Sequence, residues 1–78
     1  MTDHPGYQPK PGDTVRIMRS FTDEEFPASG WLPEMENLVR TTGEVEEISI
    51  HDNDAKVLCE NGYSYYWPLP ILQIVEVA

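Results

Sequence analysis

Residues 55–67 constrain the fold more strongly than any other stretch of the chain. Their sequence, AKVLCENGYSYYW, places an apolar run on each side of Asn61 and Gly62. The two central residues of a type I′ turn both need a positive φ, which asparagine tolerates and glycine adopts without steric cost. The pattern therefore predicts a β-hairpin with a two-residue loop, to which the remaining strands are added.

The predicted register of this hairpin divides its side chains between two faces. With Asn61 and Gly62 as the loop, Val57 lies opposite Tyr66, and residues opposite each other share a face. We expect the uncharged face with small and β-branched residues to line the core: Ala55, Val57, Cys59, Ser64 and Tyr66. The other face then exposes large apolar side chains: Leu58, Tyr63, Tyr65 and Trp67. The alternative is that the aromatics of this second face pack beneath a loop or the N-terminal segment.

Two shorter patterns predict strands on the N-terminal side of the hairpin. Apolar and polar residues alternate over positions 14–18, which is typical of a half-buried strand. Residues 43–50, GEVEEISI, predict a second strand whose apolar positions change parity once. A bulge or sharp bend between Val45 and Ile48 brings both inward and curls the sheet. A polar turn at residues 51–54 then leads into the hairpin.

The segment between these two strands lacks strand periodicity. Positions 19–30 predict a long loop, and the aromatic residues Phe21 and Phe26 indicate that this loop folds back on the body of the domain. Residues 33–39 predict one or two helical turns, because Pro33 suits the first helical position and apolar residues follow at helical spacing.

The region after the hairpin predicts a short turn and a last strand. Pro68 and Pro70 cannot donate hydrogen bonds to a sheet, so we expect a 3₁₀-type turn through Leu72 and a strand over residues 73–77. The predicted fold class is all-β. It is a small, strongly bent, five-stranded barrel with a long loop after strand 1 and a short helical turn near residues 33–39.

The chain is short enough to be one domain with a small core. A protein of 78 residues buries only about 60–65% of the surface that its unfolded chain exposes. Residues 1–12 are rich in proline and glycine and predict an extended N-terminal arm, tied down by Tyr7. The predicted barrel domain then covers residues 13–78.

The charge of the chain limits its partners. Fourteen acidic and five basic residues give a formal net charge of -9, which repels phosphate backbones and anionic lipid. We therefore expect neither direct nucleic-acid binding nor membrane binding, and a partner with basic residues is favoured.

The one cysteine, Cys59, cannot form an internal disulfide, which favours a reducing compartment. No apolar run approaches the roughly 18 residues that span a bilayer, so we expect a cytoplasmic protein.

Spaced motifs of the chain carry a family resemblance over residues 12–77. They are Gly12-Asp13-x-Val15, Gly43-x-Val45-x-x-Ile48, the Asn61-Gly62 hairpin, and Tyr66-Trp67-Pro68-x-x-Ile71-Leu72-x-x-Val75. Their order and spacing resemble an SH3-like barrel. They are more similar to the divergent SH3-like repeats of Mind bomb-type ubiquitin ligases than to signalling SH3 domains. They also distantly resemble the barrel of nitrile hydratase β subunits.

The resemblance implies peptide binding in a general form. In signalling SH3 domains, residues that match Pro68 and Ile71 contact proline-rich peptides. Acids of the first loop, which match Asp23, Glu24 and Glu25, pair there with basic residues of the ligand. Because isoleucine replaces the usual groove tyrosine at position 71, the resemblance does not favour proline-rich ligands in particular.

The chemistry-bearing residues do not predict catalysis. His51, Asp52 and Asp54 lack the glycine and the distal glutamate of a calcium loop, so we interpret them as a solvated turn. Cys59 is predicted to be buried in a strand and His4 lies in the arm, so they form no nucleophile and base pair. The sequence contains no phosphate loop and no cofactor fingerprint. We therefore predict a protein that is not an enzyme and that has no cofactor and no metal site.

The predicted function is a non-catalytic module that binds a protein or peptide through an aromatic surface edged with acidic residues. The predicted contact residues are Tyr65, Trp67, Pro68, Trp31, Asp23, Glu24 and Glu25. Trp31 alternatively forms a lid over the barrel.

Two other functions stay open. Between Ser20 and Glu60 there are eleven acidic and two basic residues, so the chain is alternatively an acidic decoy that imitates nucleic acid and binds a basic protein. Such decoys suit phages and mobile elements. The nitrile hydratase resemblance alternatively implies an accessory or subunit barrel of a larger enzyme.

Overall fold

The computed structural model describes residues 8–77, which form one antiparallel sheet; most of the predicted N-terminal arm, Tyr7 included, lies outside them. The strands are β1 (Thr14–Ile17), β2 (Thr42–Ser49), β3 (Asp54–Leu58), β4 (Ser64–Pro68) and β5 (Leu72–Glu76). Their order across the sheet is β4-β3-β2-β1-β5, so β4 and β5 are its edges. The predicted all-β fold with five strands is therefore confirmed for the described residues.

The core begins with the alternating residues of β1 and the irregular β2. Val15 and Ile17 are fully buried, as their alternation predicts. Val45 is buried, and Ile48 packs against the core although its position has the opposite parity. The register of β2 against β3 shifts between Val45 and Glu47. The predicted bulge is therefore confirmed, and it explains how both apolar residues reach the same side of the sheet.

A tight turn fixes the start of β1. The Asp13 N–H donates a hydrogen bond to the Lys10 carbonyl at 3.0 Å, and Gly12 has a φ of 95°. Proline at the second position, here Pro11, and glycine at the third are typical of a type II turn. The Gly12 N–H also donates to the Val45 carbonyl at 2.8 Å. This turn therefore holds the start of β1 in register with β2.

The β3–β4 hairpin has a three-residue loop, so the predicted two-residue loop is wrong. Leu58 pairs with Ser64, which leaves the hairpin one residue out of the predicted register. The Gly62 N–H donates to the Cys59 carbonyl at 2.9 Å, and Gly62 has a φ of 88°. A left-handed glycine at the end of a three-residue loop is the next most common hairpin after the two-residue types. Asn61 therefore needs no positive φ.

This shift of one residue reverses the two faces of β4. Trp67 points into the core with 0% exposure, whereas Tyr66 points outward with 44% exposure. The prediction that Tyr66 lines the core and Trp67 is exposed is therefore wrong. In the first strand of the hairpin, the predicted burial of Ala55, Val57 and Cys59 is confirmed. The observed register is favoured because it places Tyr65 and the whole indole of Trp67 on the inner face, where the predicted register would place Tyr66 and the small Ser64.

The long loop after β1 folds back on the core, as predicted. Phe21 is buried, and its ring centroid lies 6.2 Å from that of Trp67 in an edge-to-face arrangement. Phe26 packs against Phe21 in the same way, at 5.8 Å. Edge-to-face contacts of this kind stabilise aromatic clusters beyond the burial of their area. The loop therefore belongs to the packed structure and covers the end of the core beside β4.

Two 3₁₀ turns complete the regular structure of residues 8–77. The helical turn predicted near residues 33–39 is the first of these turns and spans Pro33–Leu38. Its Met35 and Leu38 side chains are buried. The second turn, Leu69–Ile71, follows β4 and leads into β5, as the prolines of this region predict.

Candidate protein-binding cleft

A cleft of about 510 Å³ lies between the long loop and β4. Its lining residues are Asp23, Pro27, Ser29, Gly30, Trp31, Leu32, Met35, Ser64, Tyr65 and Tyr66. The volume and the mixture of aromatic, apolar and few polar groups are typical of ligand-binding clefts. Three of the predicted contact residues, Asp23, Trp31 and Tyr65, come together here.

Trp31 forms the wall of the cleft on the side of the loop. The Asp23 carboxylate accepts a hydrogen bond from the Trp31 backbone N–H at 2.6 Å. The indole ring is half-buried and meets the rings of Phe21 and Trp67 edge to face, with centroids 5.1 and 6.2 Å away. Because the backbone and the ring are both held, Trp31 presents a preformed apolar surface to the cleft.

Tyr65 and Tyr66 form the opposite wall. Tyr65 packs against the core, and its hydroxyl accepts a hydrogen bond from the Asn61 amide at 3.2 Å. Tyr66 is exposed and belongs to the outward face of β4. Sequence reasoning missed Tyr66 as a site residue because the two-residue loop had placed it in the core.

The three predicted loop acids have different roles. Asp23 positions Trp31, as described above. Glu25 forms an exposed ion pair with Arg19 at 2.8 Å, and this hydrogen bond holds the pKa of the Glu25 carboxyl below its ordinary value. Glu24 is exposed and forms no ion pair among the described residues. The loop therefore leaves Glu24 available to a basic group, while Glu25 already has a basic partner in its own chain.

Trp67 and Pro68 do not line the cleft. Both side chains are less than 2% exposed, so the prediction that they form part of an exposed contact surface is wrong. The aromatic cluster of the core contains Trp67, which supports Trp31 from behind. Trp67 therefore contributes to the cleft only through its contact with Trp31.

A smaller and more polar pocket, of about 350 Å³, shares Tyr66 with the cleft. Its lining residues are Ala28, Glu47, Ile48, Ser49, Asp52, Asp54 and Tyr66. Three of these seven residues are acidic, which gives the pocket a negative potential. Sequence reasoning did not predict the pocket, because its acids lie in β2, in the following turn and in β3.

Asp54 lies in a different environment from the predicted one. It is the first residue of β3 and 2% exposed, so the prediction that it lies in a solvated turn is wrong. One carboxylate oxygen accepts a hydrogen bond from the Ser29 hydroxyl at 3.1 Å, and the other has no hydrogen-bond partner among the described residues. Burial raises the pKa of the Asp54 carboxyl, and the negative charge of Asp52 adds to this effect.

The structure also describes the surroundings of Cys59 and of the possible metal ligands. Burial raises the pKa of the Cys59 thiol, which makes it a weak nucleophile. Within residues 8–77, no group of three or more histidine, cysteine and acidic side chains is arranged to hold a metal ion. In the same part of the chain, no helix has the length and apolar character to cross a membrane.

Comparisons with family models, with curated proteins and with solved structures find no match to this chain. The resemblance to SH3-like and Mind bomb-type barrels therefore stays a prediction.

Proposed function

We propose that this protein is a non-catalytic binding module that holds a segment of another protein in the cleft between the long loop and β4. The observation that supports this proposal is the cleft itself, whose aromatic walls are Trp31 on one side and Tyr65 and Tyr66 on the other. Tryptophan and tyrosine supply much of the free energy at protein interfaces, because they bury a large area and lose little entropy.

The charge of the molecule indicates the kind of segment. With a net charge of -9, the chain attracts basic partners at long range. Asp23 in the cleft and the acids of the neighbouring pocket place negative charge beside the aromatic walls. The proposed ligand is therefore a protein segment that carries both apolar and basic side chains.

A selection of short random peptides displayed on phage, with the full chain as bait, tests the proposal. The retained peptides should bind Tyr66→Ala at least about tenfold more weakly than the wild-type protein, because the variant loses one aromatic wall. Tyr63→Ala is the matched control, since Tyr63 is 67% exposed and does not line the cleft. Its affinity for the peptides should remain within about twofold of the wild-type value.

Two outcomes contradict the proposal. A selection that retains no peptide excludes the cleft as a peptide-binding site. An equal loss of affinity in both tyrosine variants shows that the peptides bind somewhere other than the cleft.

The salt dependence of binding distinguishes an aromatic binding cleft from an acidic decoy. Affinity that collapses with salt and does not depend on Tyr66 favours the decoy, whereas aromatic anchoring tolerates salt.

A further inference from the structure

The outer edge of β4 offers free backbone groups beside the cleft. In an antiparallel pair, opposite residues alternate between pairs that exchange hydrogen bonds and pairs whose backbone groups point away. The Cys59 N–H donates to the Tyr63 carbonyl, and the Leu69 N–H donates to the Asn53 carbonyl, both at 2.9 Å. These two bonds set the phase of the alternation at the two ends of the hairpin.

Counting along β4 from these bonds, Tyr65 and Trp67 bond to β3, and the alternate residues Ser64 and Tyr66 direct their backbone N–H and C=O groups away from β3. Because β4 is an edge of the described sheet, no strand among residues 8–77 pairs with these groups. Both residues line the cleft. The nitrogen of Pro68 points in the same outward direction but carries no hydrogen, so the open part of the edge ends at Tyr66.

The acidic pocket shares Tyr66 with this edge, and its other lining residues belong to β2, the following turn, β3 and the long loop. Glu47, Asp52 and Asp54 provide three carboxylates, and Lys56 lies alongside Glu47 with 4.0 Å between its nitrogen and a carboxylate oxygen. The pocket therefore has an excess of negative charge. Asp54 is buried with one oxygen unpartnered, and a charge in such surroundings attracts a nearby cation more strongly than an exposed carboxylate does.

We propose that the bound segment is extended and adds a short strand to the free edge of β4, with an apolar side chain in the cleft and a lysine or arginine in the acidic pocket. The inference rests on the proposed function and specifies its mode of binding. Strand addition uses backbone hydrogen bonds for affinity and side-chain pockets for specificity. A second copy of this chain is a poorer occupant, because two molecules of charge -9 repel each other.

Amide hydrogen exchange followed by NMR tests the strand. The probe is the tightest peptide from the phage selection, added at a saturating concentration. Exchange of the Ser64 and Tyr66 amides should slow at least about tenfold, because these N–H groups gain partners. The Tyr65 and Trp67 amides are internal controls, since the β3 ladder already engages them and their exchange should change much less.

Substitutions on both sides test the basic side chain. Asp54→Asn should weaken binding about three- to tenfold for a peptide that contains lysine or arginine. The loss should disappear when that peptide residue is replaced by norleucine, because the pair of charges is then already broken. Glu60→Gln is the control, since it removes one exposed acid from the hairpin loop outside both pockets.

The outcomes separate this inference from the proposed function. A peptide whose binding depends on Tyr66 but leaves exchange at Ser64 and Tyr66 unchanged overturns strand addition and leaves the cleft intact. Equal effects of Asp54→Asn and Glu60→Gln overturn the basic subsite. Protection of the β4 edge that grows with protein concentration, without peptide, assigns the edge to a second copy and overturns the inference.

Discussion

The backbone of Gly43 lies so close to β3 that there is no room for a side chain at this position. A Cβ atom built on this residue lies 2.6 Å from the carbonyl oxygen of Leu58 and 2.6 Å from Cγ1 of Val57. The requirement comes from strand packing, because Gly43 does not have a positive φ. The sequence predicts a strand from position 43, but the need for glycine there depends on a neighbouring strand and is invisible in the local pattern.

Gly43→Ala should lower the free energy of unfolding by about 1–3 kcal/mol, because either β2 or the backbone of Leu58 has to shift. Urea unfolding followed by tryptophan fluorescence measures the change. Gly30→Ala is an informative comparison, since nothing lies within 4 Å of its added Cβ and only its φ of 76° penalises alanine. A loss for Gly43→Ala of less than about 0.5 kcal/mol contradicts the close approach.

The hairpin of β3 and β4 shows what local sequence decides and what it leaves open. Asn61 and Gly62 correctly indicate a hairpin at this position, and Gly62 adopts the left-handed conformation that the pattern requires. Loop length was not decided by these two residues, because glycine also closes a three-residue loop. Burial of Trp67 under the long loop selects the register, and that contact is tertiary. The error in the candidate site follows from this one shift.

Trp67→Ala and Tyr66→Ala distinguish the two registers by stability. Trp67→Ala should cost about 3–5 kcal/mol, which is close to the whole stability of a small domain, because it leaves a cavity among the core aromatics. Tyr66→Ala should cost less than about 1 kcal/mol. Chemical denaturation of both variants measures the difference. The opposite ranking supports the two-residue loop and excludes the observed register.

At the scale of the whole molecule, the order of the elements was predictable and the site was only partly so. Alternation, proline and glycine positions predict all five described strands and both 3₁₀ turns, because these signals are local. The cleft joins Tyr65 of β4 to Asp23 and Trp31 of the segment between β1 and β2, and all three were predicted contact residues. The acidic pocket was missed because its acids come from β2, the following turn and β3, and their grouping depends on the pairing of these strands and on the loop residue Ala28.

The buried Asp54 predicts how the stability of the whole domain depends on pH. Its pKa is raised above the ordinary 3.8 by burial, so the folded chain binds this proton more tightly than the unfolded chain. The resulting stabilisation is fully present below pH 3.8 and is lost as the pH rises through the raised pKa. The charge of Asp52 raises this pKa further, and the Ser29 hydroxyl opposes the shift.

Asp54→Asn removes this titration. The stability of the variant relative to wild type should therefore increase as the pH is raised from about 3 to about 7, because only the wild-type protein loses the contribution of the Asp54 proton. Urea midpoints of both proteins across this range measure the trend. A constant difference between Asp54→Asn and wild type over the range contradicts a raised pKa.

The proline at the end of β4 has a further consequence for a protein with an open, tyrosine-rich edge. Exposed strand edges are templates for uncontrolled stacking into aggregates, and aromatic strands with little charge are especially prone to it. Pro68 removes one outward donor and shortens the template to two residues, Ser64 and Tyr66. The edge of β4 is therefore long enough for the short segment proposed to bind there, but too short to support growth into a fibril.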